Sequence, residues 1–176
     1  MTSPVQNLQV LPIVGEVVTD MQSEAVQNHY PDDFSHCYGC GRLNESGFQI
    51  KSAWEGDEVV SRFTPKPYHI ALPGYVYGGL IASLIDCHAM ATAAAATERA
   101  AGRAIGEAPS PRFVTAALNV SYLAPTPLGP ELEIRARAKE VGKRKVIVDV
   151  AVSAQSIVTA RAEVVAVAMP ESMRGS

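Results

Sequence analysis

One segment, YVYGGLIASLIDCHAMATAAAATERA at residues 75–100, limits more than any other feature how this chain can fold. Its pattern predicts a helix over 79–101, with Gly102 placed to end it. Asp86 is the only charged residue of the segment before Glu98. A helix without a charged face is buried on all sides. Because this helix is roughly 33 Å long, a small domain can bury it only if a sheet wraps around it.

The two sides of the predicted helix differ in residue size. One arc carries large apolar residues and a thiol: Leu80, Ile81, Leu84, Ile85, Cys87 and Ala91. The opposite arc carries mostly small residues: Ala82, Ser83, Asp86, Ala89, Met90 and Ala93. A sheet can cover the first arc. We expect a second copy of the chain to cover the other, because only 19% of the residues are charged, against about a quarter in typical soluble domains.

Two features of the helix point to chemistry. We expect Asp86 in a poorly solvated place, where a carboxylate can serve as general base or acid near neutral pH. Gly78 and Gly79 stand at the helix start, where unpaired N–H groups attract negative charge. Gly78 and Asp86 lie about 12 Å apart along one helix, so one helix cannot bring both to one substrate atom, whereas two antiparallel helices at a dimer axis can. Purely structural roles for the acid and the glycines stay open.

Alternating apolar residues predict a sheet with one buried face. Two strands precede the helix, at 48–54 and 58–64, and four follow it, at 112–123, 131–141, 145–153 and 159–168. We expect the last four to form an antiparallel meander, and no regular structure in the proline-rich segment 65–73. This order describes an α+β domain, in which one helix packs on one antiparallel sheet.

Length, charge and cysteine content exclude several classes of protein. The 176 residues predict one domain at 36–170, an N-terminal extension over 1–35 with a helix near 16–29, and a tail over 171–176. A net charge of −3 gives no footprint for nucleic acid. The run 76–96 has the length of a membrane span, but an Asp at the helix centre costs roughly 2.5–3.5 kcal/mol there, so we predict no span. Three cysteines and no signal-peptide pattern predict a reducing, cytoplasmic location.

Three short motifs follow one another along the chain: CYGCG at 37–41, HIALPGYVYGGLIASLID at 69–86 and NVSYLAPTPLG at 119–129. In these motifs the chain resembles the hotdog-fold thioesterases, in particular the phenylacetate-pathway and THEM-type acyl-CoA thioesterases. The resemblance covers residues 36–169. It implies a hotdog fold, in which a five- to six-stranded antiparallel sheet wraps a long central helix. It also implies a homodimer, alone or paired into a tetramer, with active sites at the subunit interface.

The resemblance further implies a reaction and the residues that perform it. Asp86 acts as general base or nucleophile on the thioester of an acyl-CoA substrate. The Gly78 N–H, helped by Gly79, polarises the thioester carbonyl, and Thr115 holds the attacking water. This chemistry requires no metal and no organic cofactor.

Two positions depart from the family pattern. Tyr77 replaces the histidine of the family sequence H-G-G, and Ala71 replaces an asparagine found in some members. His69 matches an upstream histidine, and either lines the substrate pocket or makes local hydrogen bonds. Two other functions therefore stay open: a non-catalytic acyl-CoA binder, and an enoyl-CoA hydratase or dehydratase that uses His69 and Asp86 as acid and base.

Two further groups have alternative interpretations. Lys143, Arg144 and Lys145 form a basic turn between two strands, which is either a solvated tip or a contact for the phosphates of coenzyme A. Cys37 and Cys40 have a Cys-x-x-Cys spacing, but no second such pair and no histidine pair completes a zinc ligand set. We therefore predict no metal site from the sequence.

Overall fold

A computed structural model describes residues 24–173 and places one long helix against one sheet. The helix, α1, spans Gly78–Ala100. The sheet consists of β1 (Ala53–Glu55), β2 (Glu58–Phe63), β5 (Phe113–Tyr122), β6 (Leu132–Val141), β7 (Lys145–Ala154) and β8 (Ile157–Ala168). A separate hairpin consists of β3 (Ile70–Leu72) and β4 (Tyr75–Val76). Short 3-10 turns occupy Val26–His29, Asp32–Phe34 and Glu171–Met173.

The helix α1 is the predicted helix, displaced by one residue at each end. Gly102 follows it with a φ of 71°, the left-handed conformation that ends a helix. The side chains of Leu84 and Ile85 are completely buried under the sheet. By length and apolar character α1 could cross a membrane, but 72% of its most apolar window is buried inside this domain. It is the core helix around which the sheet folds.

The six-stranded sheet has the order β1-β2-β6-β7-β8-β5, and all its neighbouring strands are antiparallel. Strands β6, β7 and β8 form the predicted meander. The prediction is wrong for β5, which pairs with β8 at the sheet edge. The connection 123–131 returns the chain across β8 and β7 to β6, a distance of about 14 Å that nine residues can span.

Two local predictions need correction. Of the predicted strand 48–54 only the last two residues belong to β1, because Gln49 has a φ of 51° and the Ile50 N–H donates to the Gly39 carbonyl at 3.1 Å. Segment 65–73, where we expected no regular structure, begins the β3–β4 hairpin. Its turn has a Pro-Gly pair, in which the glycine has a φ of 85°, as position i+2 of a type II turn requires.

The described part of the predicted N-terminal extension packs on the domain. Val26 and Tyr30 belong to the hydrophobic core, and the Val26 N–H donates to the Ser52 carbonyl at 2.9 Å. The first part of the predicted helix at 16–29, up to residue 23, lies outside the described residues. Its described end is a 3-10 turn.

Candidate active site

The sheet leaves one stripe of α1 partly open, and Asp86 lies on it. The half-buried residues in the middle of α1 are Ala82, Ser83, Asp86 and Met90, and we call them the open stripe. Ala89 and Ala93, which we placed on the same arc, are fully buried within the chain. They are covered because five strands of the sheet and the 3-10 turn Val26–His29 all contact α1. The open stripe is therefore narrower than predicted.

Strand β5 brings Thr115 to Asp86. The Thr115 hydroxyl donates a hydrogen bond to Asp86 Oδ1. The ladder between β5 and β8 shifts register between Thr115 and Ala117, and such bulges re-aim side chains. Asp86 is half-buried and Thr115 is exposed, so this chain alone does not provide the poorly solvated surroundings that we expected. The pair instead faces the open side of α1.

Two tyrosines surround the start of α1. The Tyr122 hydroxyl donates to the Gly78 carbonyl at 2.8 Å. The Leu80 N–H donates to the Tyr77 carbonyl at 3.0 Å, so the N–H groups of Gly78 and Gly79 precede the first backbone bond of the helix. The Tyr77 ring occupies the space that a Cβ on Gly79 would need. Tyr122 belongs to the NVSYLAPTPLG motif, yet sequence reasoning assigned it no role.

An apolar cleft of about 530 Å³ adjoins the helix start. Residues from the β3–β4 hairpin, α1 and the segment after β5 line it, among them Ala71, Leu72, Tyr75, Ile81, Leu123 and Pro125. Burial, together with the neighbouring Tyr77, raises the pKa of Tyr122, whose ring also borders the cleft. Its hydroxyl therefore keeps its proton at neutral pH and remains a donor. The cleft can hold an apolar chain beside the first N–H groups of α1.

His69 contacts the backbone of Lys66 and three neighbouring aromatic rings. Its Nδ1 accepts the Lys66 N–H at 3.0 Å. Its ring packs against Phe48 and Phe63 with centroids 5.6 Å away, and against Tyr68 at 4.6 Å. Burial, and then the charge of Lys66, lowers the pKa of His69. The imidazole is therefore neutral at pH 7, and a role toward substrate stays a prediction.

His88, two residues beyond Asp86, is a structural residue. Its Nε2–H donates to the Val59 carbonyl at 3.1 Å, and its Nδ1 pairs with the Ser52 hydroxyl at 2.9 Å. Gln27 Nε2 in turn donates to the Ser52 hydroxyl at 3.0 Å, and the Ser52 backbone N–H donates to Gln27 Oε1 at 2.8 Å. Burial lowers the pKa of His88 to about 4, so it packs as a neutral ring.

The basic turn, residues 143–145, is exposed between β6 and β7. Strand register sets Lys145, Val167 and Val114 side by side on β7, β8 and β5. Thr115 follows Val114, so the basic turn lies at the same end of the sheet as the Asp86–Thr115 pair, about 10 Å across two strand spacings. It lies away from the start of α1.

The structure adds a third cysteine to the Cys37-x-x-Cys40 pair. Cys87 is buried in the core, as predicted, and its sulfur lies 3.6 Å from Cys37 Sγ. Hydrogen bonds from the Cys40 and Cys87 thiols hold the pKa of Cys37 well below its usual range. No local pattern indicates this contact, because 50 residues separate Cys37 from Cys87.

Comparison with protein families decides what these features belong to. The family model of the thioesterase superfamily matches residues 73–161, which run from the β3–β4 turn through α1 into β8. The chain belongs to the thioesterase superfamily. Its helix wrapped by a six-stranded antiparallel sheet is the hotdog fold of this superfamily, as the predicted fold class stated.

Solved structures of other proteins share this architecture. A thioesterase superfamily protein from Shewanella loihica is 51% identical over 79% of this chain and 98% of its own, with a TM-score of 0.61. The PaaI protein of the Escherichia coli phenylacetic acid degradation operon is 17% identical over 70% of this chain and 81% of its own, with a TM-score of 0.56. A Streptococcus mutans protein bound to acetyl-CoA is 21% identical over 68% and 88%, with a TM-score of 0.55. No curated protein matches the chain.

Proposed function

We propose that this protein hydrolyses acyl-CoA thioesters at a site completed by a second copy of the chain. The observation that carries the proposal is the Asp86–Thr115 hydrogen bond on the open side of an otherwise buried helix. Asp86 takes a proton from a water that Thr115 positions, and the water oxygen attacks the thioester carbon. The oxyanion accepts the Gly78 N–H, helped by Gly79, and the tetrahedral intermediate collapses to release the CoA thiolate. Direct attack by Asp86, through an anhydride, is equally compatible with these groups.

The proposal needs a second copy of the chain because Gly78 and Asp86 of one chain are too far apart. Gly78 and Asp86 are eight residues apart on α1, about 12 Å along the axis, so one chain cannot present both to one carbonyl. Two antiparallel α1 helices that meet along their open stripes would set Gly78 of one chain beside Asp86 of the other. The same contact would exclude water from Asp86 and Thr115, which strengthens electrostatic interactions.

The apolar cleft and the basic turn divide the substrate between them in this proposal. The acyl group enters the cleft at the start of α1. The nucleotide phosphates meet Lys143, Arg144 and Lys145, which donate charge-assisted hydrogen bonds. Two solved structures of similar fold support the choice of a CoA ester. The Streptococcus mutans protein is bound to acetyl-CoA, and a Streptococcus pneumoniae protein is bound to coenzyme A.

The proposal is tested by Asp86→Asn. This variant keeps size and hydrogen bonding but removes the base, so we expect a folded protein whose turnover falls by about a hundredfold or more on every acyl-CoA that the wild type accepts. Release of CoA is followed with a thiol-detecting reagent over short, long and aromatic acyl groups. Asp57→Asn, in the exposed turn between β1 and β2, is the matched control and should retain full activity. Wild-type turnover in Asp86→Asn would refute the assignment.

A non-catalytic acyl-CoA binder is the second candidate, and Tyr77 in place of the family histidine favours it. The same panel separates the two, because tight binding without thiol release identifies a binder. Loss of enoyl-CoA absorbance without thiol release would instead identify the hydratase alternative. In that case His69 must leave its contact with the Lys66 N–H to act as an acid.

We also propose that the protein works in a reducing compartment, such as the cytoplasm. All three cysteines are free thiols, although two of their sulfurs lie only 3.6 Å apart. An oxidising compartment would favour a bond between them. Alkylation of the thiols in intact cells, followed by mass measurement, checks this proposal.

A further inference from the structure

Three thiols from distant parts of the chain converge beside α1. Cys37 and Cys40 belong to the CYGCG turn, and Cys87 lies on α1. Their sulfur atoms all lie within 4.8 Å of one another, with 3.6 Å between Cys37 Sγ and Cys87 Sγ. Cys37 is exposed, whereas Cys40 and Cys87 are buried. This cluster takes no part in the proposed hydrolysis.

These spacings fit three ligands of one metal ion. Zn–S bonds of about 2.3 Å place sulfur atoms roughly 3.8–4.0 Å apart in tetrahedral or trigonal coordination. We propose that Cys37, Cys40 and Cys87 form a binding site for a thiophilic metal ion of the Zn²⁺ or Cu⁺ class. Thiolates select these soft ions over Mg²⁺ and Ca²⁺, and each thiol loses its proton on binding. A disulfide would use only two of the three sulfurs.

The CYGCG turn is shaped to reach α1 closely. A Cβ on Gly39 would collide with the Cys87 sulfur, and a Cβ on Gly41 would collide with the Cys37 backbone. The Gly41 N–H also donates to the Cys37 carbonyl at 2.8 Å, which closes the turn. Glycines at both positions therefore allow the turn to hold two thiols against the third.

Arg112 provides the charge that such a site needs. Its guanidinium lies 3.8 Å from the centre of the Tyr30 ring and within electrostatic range of Cys40. Its Nε and Nη1 are buried without a hydrogen-bond partner among residues 24–173. Zn²⁺ with three thiolates carries a net charge of −1, which one guanidinium offsets, whereas Cu⁺ would leave −2. This balance favours Zn²⁺, with a solvent ligand in the fourth position beside the exposed Cys37.

The test uses the reduced full-length protein, freed of metal with a chelator and dialysed against Zn²⁺ or, without oxygen, against Cu⁺. We expect one Zn²⁺ per chain by elemental analysis, and all three thiols protected from an alkylating reagent. Co²⁺ serves as a spectroscopic probe, because thiolate coordination produces charge-transfer absorption. The melting temperature should rise with the Zn²⁺ concentration, since the ion binds only the folded chain.

Cys37→Ser is the informative variant, because Cys37 is exposed and its loss leaves the core intact. We expect at least about tenfold weaker Zn²⁺ binding and an unchanged melting temperature without metal. Asp86→Asn and His36→Ala remove neighbouring ligand types and should still bind one ion. Binding of Zn²⁺ to Cys37→Ser as tightly as to the wild type, or loss of the ion in either control, overturns the proposal. A wild-type protein that binds neither Zn²⁺ nor Cu⁺ also overturns the proposal, and one that binds only Cu⁺ overturns the choice of Zn²⁺.

Discussion

A single hydroxyl decides how the acid of α1 is presented. Thr115 donates its proton to Asp86 Oδ1, so the other carboxylate oxygen is left for water or substrate. Thr115 lies beside a bulge in β5, where the strand is free to aim its side chain at the helix. The arrangement agrees with the role that the family resemblance implies for Thr115, and that role stays a prediction.

Thr115→Val tests the hydroxyl with little change of shape. Valine keeps the β-branch that suits a strand but cannot donate, so we expect turnover on acyl-CoA to fall about tenfold to a hundredfold. The free energy of unfolding, measured in urea, should change by less than about 0.5 kcal/mol, since Thr115 is exposed. Thr115→Ser restores the donor and should recover most of the rate. Equal rates in the valine and serine variants would contradict a role for the hydroxyl.

Helix α1 is attached to the sheet by a buried polar network as well as by apolar packing. His88 on α1 bonds the carbonyl of Val59 in β2, and its other nitrogen pairs with Ser52 just before β1. Each ring nitrogen has a partner, so burial of the neutral ring is well satisfied. A charged ring would lose the bond in which Nδ1 accepts, which makes this network sensitive to acid.

The pKa of His88, lowered by burial to about 4, sets a window for acid destabilisation. The unfolded chain binds a proton at His88 near its ordinary pKa of about 6.5, whereas the folded chain does not until about pH 4. Stability from the neutral ring is therefore complete above the ordinary pKa and is lost as pH falls toward 4. We expect a loss of about 2 kcal/mol between pH 7 and pH 4.5 from this residue.

Urea unfolding at both pH values measures this effect. His88→Gln keeps a donor and an acceptor without a titrating ring, so its free energy of unfolding should fall less than that of the wild type over the same range. His36→Gln, in which an exposed histidine is replaced, should behave as the wild type. If the free energy of unfolding of His88→Gln falls as much as that of the wild type between the two pH values, the buried ring is not the cause of the acid destabilisation.

The molecule as a whole exposes an apolar surface around the start of α1. Leu72 is 67% exposed, Tyr77 58%, Leu123 56% and Tyr122 53%. Contiguous apolar surface of this kind marks interaction sites in soluble proteins. It is continuous with the helix start from which the open stripe extends, and this supports the proposed dimer.

Ala82→Arg tests whether the open stripe is a subunit interface. A small half-buried residue becomes a long charged one, which must lose its hydration if two α1 helices meet there. We expect a folded monomer by light scattering, with acyl-CoA hydrolysis lost in parallel because the site is incomplete. Asp57→Arg places the same charge in an exposed turn and should change neither property. A dimeric and active Ala82→Arg variant would contradict the shared site.

Local patterns account for the elements of this fold. The segment with almost no charge predicts α1 to within one residue at each end, because a helix that is buried over most of its surface carries mostly apolar or small residues. In β7 the residues Val146, Val148, Val150 and Val152 are buried and alternate as a half-buried strand demands. The motifs that carry the resemblance predict the hotdog fold and contain Gly78 and Asp86, and Thr115 lies four residues before the third motif.

Contacts between distant segments follow from assembly instead. Periodicity does not predict that β5 lies at the sheet edge or that Cys87 contacts the CYGCG turn. Periodicity and propensity depend only on residues that are close along the chain. The β3–β4 hairpin was not predicted, because the prolines of segment 65–73 argue against regular structure. Gly74, with its positive φ, nevertheless permits a turn there. Packing selects which faces meet, and it is packing that sets Thr115 against Asp86 and leaves the stripe around it open.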